Sequence, residues 1–124
     1  MASRHKSGSV RTFWLDRSAV LDELTRFARS LVERFDEVER VILFGSMARG
    51  DAVPGSDADL LLVLRESALP FLERTVRYRL GGLSIGVDLF PYTRQEMDRL
   101  LDEGHPLLRQ ALREGVELAR RGDG

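Results

Sequence analysis

VILFGSMARGDAVPGSDADLLLV, residues 41–63, reads as an apolar strand from Val41 to Phe44, a Gly-Ser turn into a short helix, a Pro-Gly loop, and a second apolar strand that opens on two acids. Asp57 and Asp59 are two apart, so in an extended chain their side chains leave on one face. A third acid, Asp88, lies inside the apolar run SIGVDLFPY. Like-charged carboxylates brought together raise one another's pKa and destabilise the fold unless a cation or hydrogen-bond donors compensate. A divalent metal is the simplest compensator, and Mg²⁺ typically takes one or two carboxylates with waters and phosphate oxygens.

On the other side of the loop, a strand ending in Gly45-Ser46 and followed by helical amides suits an anion. Glycine admits a phosphate to the backbone, and the hydroxyl and amides donate to it. Arg49 can add a charge-assisted contact. Gly45 and Gly50 have the glycine spacing of a P-loop, but Asp51 and Ala52 stand where that motif requires lysine and Ser/Thr, which excludes it. Each half alone has an ordinary explanation: a strand-to-helix turn with a serine cap, and a solvated loop end. Asp88 between Val87 and Leu89 needs either a cation or an arginine, and Arg49 is the candidate arginine.

Outward from this stretch, Asp16 to Phe35 carries Val20, Leu24, Phe27, Ala28, Leu31, Val32 and Phe35 at helical spacing, with Asp16 as N-cap and Phe13 and Trp14 as anchors. Residues 1–12 are small, polar and basic and read as a tail, leaving 13–121 as one domain. Pro70 to Leu80 places Phe71, Leu72, Val76 and Leu80 in a helical pattern. Ser84 to Phe90 alternates as a strand, with Gly86, Asp88 and Phe90 on one face. Asp57 then begins its strand while Asp88 lies toward the end of its own, so the acids meet most easily if these strands run antiparallel or are offset. Thr93 and Glu96 form a capping-box signature. A last helix is expected from Pro106 to about Arg120, with Gly115 inside it at a cost of about 1 kcal/mol. The implied architecture is α/β, a small mixed sheet with helices packed mainly on one face.

The chain has 124 residues, 19 basic and 20 acidic, and no cysteine. Disulfides, thiolate metal sites and cysteine nucleophiles are thereby excluded. A net charge of −1 provides no global field for long nucleic acid. All basic residues except Lys6 are arginines. His5 and His105 do not make a histidine metal site, and Glu66, Glu73 and Glu96 read as surface charges. With no long apolar run and no apolar leader at the start, the expectation is a soluble, cytoplasmic protein without a membrane segment.

Gly45-Ser46, ten residues, then Asp57-Ala58-Asp59 resembles the signature of the DNA polymerase β-type nucleotidyltransferase superfamily. The string GSMARGDAVPGSDADL is similar to its small bacterial and archaeal members, the minimal nucleotidyltransferases, and Asp88 in VDLF matches their third carboxylate. The resemblance spans about residues 20 to 105. It implies the nucleotidyltransferase fold and Mg²⁺-dependent transfer of a nucleoside monophosphate from an NTP, ATP first, to a hydroxyl, with pyrophosphate leaving. Asp57, Asp59 and Asp88 would hold one or two metal ions and do the catalysis. Gly45, Ser46, Arg49 and Ser56 would bind nucleotide. Such proteins are often paired with HEPN-domain toxins and modify a toxin tyrosine, so a HEPN-type partner is implied, and self-association is open. The alternative is a catalytically decayed antitoxin that neutralises its partner by binding.

Overall fold

A computed structural model describes residues 17–53 and 55–122. The tail, the anchors Phe13 and Trp14, the cap Asp16 and Pro54 of the loop lie outside the described residues. The chain forms α1 (Arg17–Arg34), β1 (Val38–Phe44), α2 (Ser46–Arg49), β2 (Ala58–Leu64), α3 (Phe71–Arg77), β3 (Val87–Thr93), α4 (Arg94–Asp102), α5 (Pro106–Glu114) and β4 (Val116–Arg120). The four strands make a mixed sheet in the order β3-β2-β1-β4. β1 is antiparallel to β2 and to β4, whereas β2 and β3 run parallel.

The expected α/β class and mixed sheet are found, but helices cover both faces. Val41, Leu43, Leu60, Leu62, Leu64 and Leu89 face α1, whose Val20, Leu24, Phe27, Ala28 and Leu31 fill that side with Tyr78. Ile42, Phe44, Leu61 and Val63 face α4 and α5 through Met97, Leu108 and Ala111. The reason is visible in the two inner strands: ILF and LLLV are apolar without alternation, so both faces need a cover.

Two boundaries and one helix face differ from the expected ones, each for a physical reason. β3 begins at Val87 and runs to Thr93, so Asp88 stands at its start. Pro91 is tolerated because β3 is an edge strand, where a missing donor breaks no inner ladder. The last helix stops at Glu114 and residues 116–120 are a strand. A Cβ on Gly115 would collide with the Ala111 carbonyl oxygen and with Ile42 Cγ2, so glycine lets the chain leave the helix directly against β1. Finally, Leu72 and Val76 of α3 point outward, at 76% and 74% exposure, while Arg74 is buried. Arg74 is drawn inward by acceptors: Nη1 and Nη2 donate to the two carboxylate oxygens of Glu96 at 2.7 and 2.9 Å, Nη1 to the Pro91 carbonyl and Nε to that of Leu69. Glu96 is therefore an ion-pair partner as well as the capping-box residue of α4.

Among the described residues no helix is long and apolar enough to cross a membrane.

Candidate active site

β1, β2 and β3 bring their acidic and glycine residues to one end of the sheet. Asp59 is the register partner of Phe44 on one side and of Asp88 on the other. Parallel pairing puts Asp59 and Asp88 side by side on the face lined lower down by Leu61 and Phe90. The expectation that the acids would need antiparallel or offset strands is thus corrected: the later start of β3 moves Asp88 to its beginning, and parallel, in-register strands then suffice.

Two glycines fix where the carboxylates lie. A Cβ on Gly45 would sit 2.5 Å from Asp59 Oδ2, and Gly45 has φ 77°, a left-handed conformation that side chains rarely adopt. A Cβ on Gly86 would collide with Asp57 Oδ1 and lie 3.0 Å from Asp57 Cγ. The Ala58 amide donates to the Gly86 carbonyl at 2.9 Å, which ties the two strand entries together. Asp57 and Asp88 are exposed and Asp59 is half-buried.

Burial raises the pKa of Asp59 above its usual value, and the charges of Asp88 and Asp57 raise it further, with Arg49 opposing. Carboxylates gathered this closely repel one another, and a cation among them would relieve the repulsion. The donors are hard oxygens, suited to Mg²⁺ or Mn²⁺. Among the described residues no three His, Cys, Asp or Glu side chains form a ready metal-binding group. A magnesium site does not require one, since water and phosphate oxygens complete its shell.

The expected nucleotide-binding residues are placed unequally. Ser46 opens α2, and its carbonyl accepts from the amides of Gly50 and Asp51 at 2.9 and 3.1 Å. The first amides of this turn have no partner within it, as at any helix start, and Gly45 supplies no side-chain cap. Arg49 does not bond to Asp88. It donates from Nε to Asp51 at 3.2 Å and from Nη1 to Glu114 at 3.2 Å, both at the surface. Ser56 closes its own loop: its hydroxyl accepts from the Val53 amide at 3.0 Å and its amide donates to the Val53 carbonyl at 2.9 Å. Glu114, held in turn by Gln110 at 3.2 Å, is the neighbour that sequence reasoning missed. Nothing local signals a contact between residues 65 apart in the chain.

The model of the family described as nucleotidyltransferase domain matches residues 24–108, which include Gly45, Asp57, Asp59, Gly86 and Asp88. No curated protein matches the chain. Among solved structures, one from Sulfolobus solfataricus described as a nucleotidyltransferase is similar at 24% identity and a TM-score of 0.61, over 88% of this chain and 87% of that one. A toxin-antitoxin structure with AMP-PNP is similar at 18% identity and a TM-score of 0.52, over 82% and 73% of the two chains. At these identities the structures speak for the fold, while the family match, over more than half of the chain, speaks for descent: this chain belongs to the nucleotidyltransferase domain family.

Proposed function

We propose that the protein transfers a nucleoside monophosphate, AMP from ATP, to a hydroxyl acceptor, and that Asp57, Asp59 and Asp88 are its catalytic residues. The observation that carries this reading is the in-register pair Asp59 and Asp88 at the strand ends, with Gly45 in contact with Asp59. Asp57 and Asp59 would hold Mg²⁺, with Asp88 completing the set. When bound, magnesium draws charge from the triphosphate and makes the attacking oxygen a better nucleophile. The chain's own groups do the rest. Gly45 lets the triphosphate reach the backbone, and the Ser46 hydroxyl and the first amides of α2 donate to its oxygens. Arg49 and Ser56 flank it. The acceptor oxygen bonds to the α-phosphorus, the bond from that phosphorus to the β-bridging oxygen breaks, pyrophosphate leaves, and the hydroxyl proton passes to a carboxylate oxygen of Asp88.

The acceptor in this reading is a tyrosine of a HEPN-type toxin. The likeness to a toxin-antitoxin structure with AMP-PNP supports a toxin as partner and an adenine nucleotide as donor. Incubation of the protein with labelled ATP, Mg²⁺ and its natural partner should label the partner. Asp57→Asn and Asp59→Asn should each lower transfer by about 10²-fold or more while the chain stays folded. Wild-type transfer no greater than that of Asp57→Asn would refute the enzyme.

A second reading, an antitoxin that acts by binding alone, draws on the engagement of Arg49 with Asp51 and Glu114 and not with the carboxylates of the site. It expects the same substitutions to leave toxin neutralisation intact.

A further inference from the structure

β4 ends the sheet, and among the described residues its outer edge pairs with no strand. It is also flanked on both faces. A hollow of about 490 Å³ over α4 and α5 reaches Leu112 and Arg120, and one of about 500 Å³ beside α1 reaches Val32, Leu118 and Ala119. Leu112 and Val116 are apolar and 42% and 48% exposed at this edge. An open ladder with a recess on each face is what an added strand requires: main-chain groups to pair with, and space for alternate side chains.

The register of β4 on β1 slips between Val41 and Ile42, leaving Leu118 as the extra residue of a bulge. A bulge usually blunts an edge. Here it places Leu118 and Ala119 together on the α1 side, where both pack on the core. Glu117 and Arg120 lie together on the opposite side, 2.9 Å apart, and Arg40 donates to Glu117 at 2.6 Å.

We infer that β4 pairs antiparallel with β4 of a second copy of this chain, about a two-fold axis between Leu118 and Ala119, joining two sheets into one. In a regular strand such an axis would set side chains of opposite faces against each other. The bulge removes that conflict. Leu118 then meets Ala119 twice, Glu117 meets Arg120 twice, and no like charges oppose one another, which is the self-complementarity an isologous contact demands. The inference is independent of the proposed chemistry, since the Asp57, Asp59 and Asp88 end does not enter it.

Sedimentation of the full chain from nanomolar to high micromolar concentration should show the mass rising from that of a monomer to that of a dimer. Glu117→Arg and Arg120→Glu should each weaken the dimer by about tenfold, because two facing pairs change sign at once. An equimolar mixture of the two variants should restore it, although neither variant keeps the Glu117 to Arg120 pair within its own chain. Independently of any variant, amide exchange at residues 117–120 should slow as the concentration rises. A monomer throughout, single variants that dimerise as the wild type does, a mixture no tighter than its components, or exchange indifferent to concentration would each overturn the inference.

Discussion

Asp59 is the residue on which stability and chemistry pull in opposite directions. Its pKa is raised in the folded chain by burial and by Asp88 and Asp57, so the folded state favours the protonated acid more than the unfolded chain does. The resulting penalty is absent at low pH and grows as pH rises from the unfolded pKa through the folded one. At neutral pH Asp59→Asn should therefore stabilise the metal-free protein, by on the order of 2 °C in melting temperature, while removing transfer. Thermal unfolding in chelator checks it, and a lower melting temperature for the variant would contradict the electrostatic account. The glycines make a sharper pair. Gly86→Ala should leave stability nearly unchanged, because the group displaced is the end of the exposed Asp57 side chain, yet it should reduce activity as Asp57→Asn does. Gly115→Ala should do the reverse and destabilise by about 1–3 kcal/mol, since the group in the way is a backbone carbonyl that cannot move aside. Denaturant unfolding of both variants separates a site glycine from a packing glycine.

At the scale of elements, the joint between α3, β3 and α4 rests on Arg74. This nearly buried guanidinium holds Glu96 of the α4 cap and the Pro91 carbonyl of β3. The Arg74 hydrogen bonds bring Glu96 down to a pKa of about 2. Because the folded value is depressed, the stabilisation is complete above the unfolded pKa of about 4.5 and is lost as pH falls through about 2. Arg74→Ala should cost roughly 2–4 kcal/mol, part of it from the carboxylate left without its cation in a half-buried place, with only the Thr93 amide to bond to. Glu96→Gln should flatten the acid limb of the stability curve, as urea unfolding between these pH values will show. This joint also marks where sequence reading stops. α1, β1, β2 and the cap at Thr93 were legible because periodicity and local capping determine them. The buried Arg74 was not, because its partners lie 17 and 22 residues away. β4 was misread for a related reason: Leu118 and Ala119 are neighbours on one face through a bulge, which copies the spacing of a helix. At the site, the motif and its spacing named Gly45, Asp57, Asp59 and Asp88. The direction of β3, and hence how the acids meet, depended on a strand boundary three residues later than the alternation suggested.

Across the whole molecule the net charge of −1 conceals a polarity. Asp57, Asp59 and Asp88 gather at one end of the strands. Arg40, Arg94, Arg120 and Arg121 line a recess toward the other, where Arg94 pairs with Glu39. The acidic end should bind Mg²⁺ and ATP together more strongly than either alone, because each offsets the other's charge. A ligand at about 100 times its dissociation constant stabilises the folded state by roughly 2.7 kcal/mol. The wild type should thus melt several degrees higher with Mg²⁺ and ATP than with ATP in chelator, and Asp57→Asn should not. Equal shifts for the two would place the nucleotide elsewhere.

The crossover from β2 to β3, residues 65–86, is free to lengthen or shorten at its surface turns without disturbing either strand. What it cannot do is deliver β3 to its neighbour one residue early. Side chains alternate along an extended chain, so a slip of that size would turn Asp88 to the α1 face and put an apolar residue beside Asp59. Insertions at the exposed turn of Gly81 and Gly82 are therefore silent, and a single deletion within 87–88 is null.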